Sequence, residues 1–162
     1  MNRTRIKRSK LAHYMNVGGS TFKRIGPGFS SFSKSLNPQT DDIHDIDTDI
    51  GETILNGYKP TYEYEFQAVS GDPICEKLRE IHEKLIVGAS VEILDVYLDD
   101  EGTDETFRAS KARYNVIPSE GPGGASNEGI SCSGQLSQSG ELIFGTARIA
   151  ADGTITFTKE DA

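Results

Sequence analysis

The sequence predicts a mainly β protein, an antiparallel β-sandwich or partly open barrel of two sheets with one flanking α-helix over about residues 72–87. Three observations predict it. One stretch alone, residues 71–88 (GDPICEKLREIHEKLIVG), carries a helical apolar period. The remaining apolar segments are short and alternate with period two, or break at Gly, Pro, Asn and Asp. A lone amphipathic helix also needs a broad apolar surface to cover, and here only a sheet offers one.

Residues 1–10 (MNRTRIKRSK) form a basic arm without a core pattern, expected to be extended or mobile. Residues 11–162 read as a single domain. Residues 11–17 suit a short strand that Gly18-Gly19 breaks, and residues 21–25 suit another, ended by Gly26-Pro27-Gly28. Phe29 and Phe32 then punctuate a Ser-rich link that runs to a turn at Asn37-Pro38.

Residues 41–57 (DDIHDIDTDIGETILNG) mix Asp41, Asp42, Asp45, Asp47, Asp49 and Glu52 with isoleucines. Residues 45–50 alternate, and Asn56-Gly57 reads as a turn, so an extended acidic loop or hairpin standing off the body is expected. The best strand falls within residues 58–69, with Tyr62, Tyr64 and Phe66 on one face and Glu63, Glu65 and Gln67 on the other. The tyrosines read as core and cross-strand packing rather than a base-stacking platform.

The helix follows. Asp72 is an N-cap and Pro73 suits the first helical position. Ile74, Leu78, Ile81 and Leu85 form one stripe, expected to pack on the sheet, and Gly88 is the expected stop. Residues 90–98 alternate again, with Val91, Ile93, Asp95 and Tyr97 on one side, before a turn at Asp99-Asp100-Glu101-Gly102. Residues 106–117 form a long strand, 118–129 a Gly/Pro loop without core residues, and 130–138, 142–150 and 154–158 three further strands. The total is about eight strands.

The net charge of −8 is unevenly spread. Residues 1–40 contain eight bases (Arg3, Arg5, Lys7, Arg8, Lys10, Lys23, Arg24 and Lys34) and no acid. The other nine bases and all 25 acids lie beyond, a net of −16. A cationic arm ahead of an anionic body implies electrostatic docking on nucleic acid, a membrane surface or another copy. The two cysteines, Cys75 and Cys132, are far apart without a CxxC and are expected as free thiols in a reducing compartment. The basic N-terminus lacks the apolar stretch of a signal peptide, and no apolar run has the length of a membrane span, so an intracellular product is expected.

Enzyme motifs are missing: there is no GxSxG, GxGxxG, P-loop lysine or HExxH. His13, His44 and His82 are isolated in sequence, and His82 is expected as a partly exposed structural residue. Asp45-x-Asp47-x-Asp49 invites a calcium reading, but its glycine is one place late, at Gly51, and Asn56 stands where an EF-hand has glutamate. A solvated acidic ribbon is the expectation, with no metal or other cofactor.

The order of features is informative. A glycine-bearing N-terminal segment precedes an acidic loop, then GYKPTYEYEFQAV, the capped helix DPICEKLREIHEKLIVG, ASVEILDVYLDDEG and further hairpins. Over roughly residues 10–158 this resembles the tail tube (major tail) proteins of long-tailed phages, and is similar to the tube proteins of contractile tails. The resemblance implies a non-enzymatic virion protein, assembled in the host cytoplasm, with no obligatory cofactor. Six copies would close into a ring, and rings would stack into a hollow tube that double-stranded DNA traverses without specific binding. Other tail proteins would cap its ends. On this expectation Arg3, Arg5, Lys7, Arg8 and Lys10 dock on Asp41, Asp42, Asp45, Asp47 and Asp49 of a neighbouring copy. The alternatives are another ring-forming tail component, such as a terminator or connector, and a nucleic-acid-binding β-barrel that uses the basic arm.

Overall fold

The computed structural model describes residues 3–102 and 104–161. Met1 and Asn2 of the expected arm, and Thr103 and Ala162, lie outside the described residues. The strands are β1 (Leu11–Gly18), β2 (Thr21–Arg24), β3 (Phe29–Ser35), β4 (Pro38–Ile43), β5 (Glu52–Tyr58) and β6 (Thr61–Gln67). Helix α1 (Pro73–Glu83) follows, then β7 (Ser90–Glu101), β8 (Thr106–Gly123), β9 (Ser131–Gln138), β10 (Ile143–Ile149) and β11 (Ile155–Lys159). Nine strands share one sheet in the order β2-β1-β7-β8-β9-β6-β3, with β10 joining β8 and β11 joining β10. β4 and β5 pair with each other alone and make a separate ribbon. Every pairing is antiparallel. The mainly β fold with one flanking helix is therefore as the sequence predicts.

The large sheet rolls on itself, because inward side chains of distant strands meet. His13 on β1 packs against Phe32 of β3, with ring centroids 4.8 Å apart, and meets Tyr62 of β6 edge-on at 5.5 Å, although β1 shares a ladder with neither strand. The roll stays open: β3 at one end and β1–β2 at the other share no ladder. Burial occurs on both faces. Alternation along β7 sends Val91 and Ile93 into the rolled core with Met15, Tyr64, Phe66, Ile74, Leu78 and Leu136. It sends Leu94 and Val96 to the other side, where they meet Ala12, Tyr14, Ala109, Ala147 and Ile155 beneath the β10–β11 hairpin.

The helix begins where its cap predicts and stops early. Asp72 Oδ1 accepts from the Ile74 and Cys75 amides at 3.0 Å each, satisfying two donors left free at a helix start. Ile74, Leu78 and Ile81 are buried as expected. Leu85 is not: it lies beyond the helix and is 81% exposed, so it does not pack on the sheet. The Ile86 amide reaches back to the Ile81 carbonyl at 3.2 Å, and Leu85 takes the left-handed φ of 51° that this reversal demands. That turns its side chain outward, three residues before Gly88. His82 is likewise not partly exposed; only 2% of it meets solvent.

Other boundaries also move. The Ser-rich link at Phe29 is strand β3, and the Asp99 turn is absorbed into β7. β8 runs through Pro118–Gly123, so the Gly/Pro loop is shorter than 118–129. Asn56-Gly57 is not a turn but lies inside β5 at a register shift, and residues 45–50 form the ribbon tip rather than an arm.

Candidate functional site

Three surfaces bear on function: the basic arm, the acidic ribbon, and the seam where the rolled sheet stays open. Arg3, Arg5, Lys7, Arg8 and Lys10 are all exposed, with a short 3-10 turn over Arg8–Lys10 leading into β1. Arg8 is already engaged within its own chain. Its Nη1 donates to the Leu11 carbonyl at 2.8 Å and its Nη2 to the Phe32 carbonyl at 3.1 Å. Arg8 thereby bridges β1 to β3 across the open side of the roll.

Beneath Arg8 sits a buried polar chain. Arg8 Nη2 lies 2.8 Å from His13 Nε2, and His13 Nδ1 lies 2.6 Å from Asp95 Oδ1. Tyr62 donates its hydroxyl to Asp95 Oδ2. Burial, reinforced by the Asp95 charge, drives the Tyr62 phenol far above its ordinary range, so it remains a donor. The Tyr114 hydroxyl is buried nearby with no hydrogen-bond partner among the described residues. A second chain runs from the Tyr64 hydroxyl to His82 Nε2 at 2.7 Å, and from His82 Nδ1 to the Glu120 carbonyl at 2.8 Å. A carbonyl only accepts, so His82 carries its proton on Nδ1 and accepts from Tyr64. Burial lowers the His82 pKa, with the Glu120 carbonyl acting against that shift. Sequence reading missed both chains; the one available signal was Asp95, a carboxylate on the inward face beside Val91 and Ile93.

The ribbon carries Asp41, Asp42, Asp45, Asp47 and Asp49, all exposed. Asp41 accepts from Asn56, and Asp42 from Thr53 at 2.7 Å, which ties the two arms together. Among the described residues no three His, Cys, Asp or Glu side chains gather closely enough to hold a metal ion. The ribbon also exposes Ile43, Ile46, Ile50 and Leu55, with Ile46 and Ile50 almost wholly in solvent. Neither Arg3, Arg5, Lys7 nor Lys10 forms an ion pair with these aspartates within the chain; the described salt bridges lie elsewhere.

The outward face of β3, β6 and β9 has a composition of its own. Register places Ser31, Glu65 and Ser133 in one row and Ser33, Glu63 and Gln135 in the next. The single lysine or arginine on these strands, Lys34, sits on the other side with Nζ 5.5 Å from the Tyr62 ring. Hydroxyls, amides and carboxylates cover this face, and cations do not.

No family model matches the chain, and no curated protein matches it. Solved structures share its fold. A chain in the tail of an empty gene transfer agent (GTA) particle, determined by helical refinement with C6 symmetry, superposes with a TM-score of 0.63 at 17% identity, covering 86% of this chain and 98% of that one. A chain from the virion of a native GTA particle gives 0.62 at 17% identity with the same coverage. A chain from the sixfold-symmetrised baseplate of the anti-feeding prophage (AFP) gives 0.51 at 7% identity, covering 89% of this chain and 97% of that one. The fold is thus tail-tube-like over most of the chain.

Proposed function

We propose that this protein is a non-enzymatic structural component of a phage-like tail, forming sixfold rings that stack into a hollow tube for double-stranded DNA. The observation that carries the reading is the likeness, over 86% of this chain and 98% of the other, to a chain of a tail determined by helical refinement with C6 symmetry. Physical features of this chain support it. The open roll ends in strands with unused backbone donors and acceptors, a hazard for a monomer and an opportunity for edge pairing between copies. The ribbon holds bulky apolar side chains in solvent that an interface would bury.

Charge assigns roles within this reading. The unpaired part of the arm, Arg3, Arg5, Lys7 and Lys10, docks on the ribbon carboxylates Asp41, Asp42, Asp45, Asp47 and Asp49 of a neighbouring copy. The cation-free face of β3, β6 and β9 lines the channel, because a wall without cations releases no counterions and gives phosphates nothing to hold. The likeness to a baseplate chain supports a second reading, a ring-forming component at a tube end, which would stop at one ring. Electron microscopy of concentrated protein separates the outcomes. Long tubes fit the first reading, isolated rings the second, and strictly monomeric material refutes both.

A further inference from the structure

The basic arm is fastened to the body at Arg8, and the fastening runs through a histidine. A guanidinium has donors and no acceptor, so His13 Nε2, 2.8 Å from Arg8 Nη2, must accept. The His13 proton then sits on Nδ1 and is donated to Asp95 Oδ1 at 2.6 Å. His13 and Asp95 are each less than a tenth exposed. The cluster therefore balances one cation, Arg8, against one carboxylate, Asp95, with a neutral imidazole between them.

We propose that His13 is a proton-operated latch on the arm. A proton added at Nε2 would point an N–H at the Arg8 donors and place a second positive charge beside a single carboxylate. His13 and Asp95 would then form a complete ion pair by themselves, leaving Arg8 as the surplus cation. Arg8 alone of the three is exposed, so it is the one that leaves. Its departure breaks the bonds to the Leu11 and Phe32 carbonyls and frees the arm to reach another molecule. The other charged and titratable groups around His13 do not substitute for this trigger. Tyr62 on β6 is held as a donor to Asp95, and burial likewise raises the Tyr114 phenol on β8. Tyr97 on β7 carries Arg108 over its ring, Lys34 on β3 lies over the Tyr62 ring, and Arg24 on β2 adds only a fixed positive charge. Histidine is the side chain whose charge normally changes between about pH 5 and 8.

The latch does not depend on the tube reading and is tested on the full chain in its unassembled form. Nitrogen-15 NMR would follow the His13 imidazole and the backbone mobility of residues 5–10 from about pH 7.5 to about pH 5. The expected result is an Nδ1–H tautomer at the upper end, and loss of arm order in the same pH step that protonates Nε2. Arg8→Gln should leave the arm mobile at every pH, and His13→Gln should remove the pH dependence. An arm that stays ordered while His13 titrates overturns the latch, as does an unchanged pH response in His13→Gln. If that variant does not fold, the unmodified protein decides: midpoints for His13 and for the arm that differ by more than about one pH unit overturn it.

Discussion

Two leucines of one sequence stripe should respond to substitution with opposite signs. Leu78, on the sheet-facing side of α1, is fully buried, whereas Leu85 is 81% exposed with φ at 51°. Leu78→Ala removes apolar contact and leaves a cavity between helix and sheet, a change that typically costs about 2–5 kcal/mol. For a domain of this size that lowers Tm by roughly 5–15 °C. Leu85→Gly gives up little burial and relieves a side chain from the left-handed region, where non-glycine residues are disfavoured by about 1–2 kcal/mol. The greater freedom of glycine in the unfolded chain offsets part of that gain, leaving about 0.5–1 kcal/mol of stabilisation. Urea unfolding followed by far-ultraviolet circular dichroism would measure both. A loss above about 1 kcal/mol for Leu85→Gly would show that this leucine belongs to the core and that the helix runs on, refuting the reasoning.

Further outcomes follow from the same packing. Gly145→Ala should destabilise by about 1–3 kcal/mol in urea unfolding, because an added Cβ would lie 2.1 Å from the Thr158 carbonyl oxygen and 2.8 Å from the Phe157 ring. Tyr62→Phe should cost about 1–3 kcal/mol by stripping Asp95 of a donor, whereas Tyr114→Phe, which removes a buried hydroxyl without a partner, should be neutral or stabilising in the same assay. His82 has a lowered pKa when folded, so the unfolded chain binds its proton more readily. The stability it contributes is present above about pH 6.5, is lost as pH falls, and levels off below the folded midpoint. His82→Asn should flatten that part of a stability-against-pH curve, and an unchanged slope would exclude His82 as its source. On the tube reading, Glu63→Lys with Glu65→Lys should leave tubes of normal width but make them retain double-stranded DNA at low salt in a filter-binding assay.

Much of the fold was legible because local chemistry and final burial agree. Tyr62, Tyr64 and Phe66 alternate with two glutamates and are buried, and Asp72 starts the helix where a cap should. Legibility failed where a local rule was overridden. Gly88 signals a helix stop, yet Leu85 accepts the left-handed turn first. Phe29 and Phe32 are three apart, which hides a period of two; a register shift between Phe29 and Ser31 restores both to the core side of β3. The arm and the ribbon were visible from charge alone. The seam was not: His13 and Asp95 lie 82 residues apart in sequence and become opposite partners only through the β1–β7 pairing, and the roll of the sheet then brings Phe32 of β3 to Arg8 and His13.

The 18-residue β8 has a consequence for how the molecule comes apart. Its first half carries β10, its second half β9, and β7 runs along its opposite edge. Both hydrophobic clusters thus lean on one shared spar. Neither half can melt while the other survives, and denaturation should be a single cooperative event seen alike by every probe. A slip of β8 by one position would swap its two sides and spoil both clusters together, so the alignment of the whole molecule is guarded at this strand.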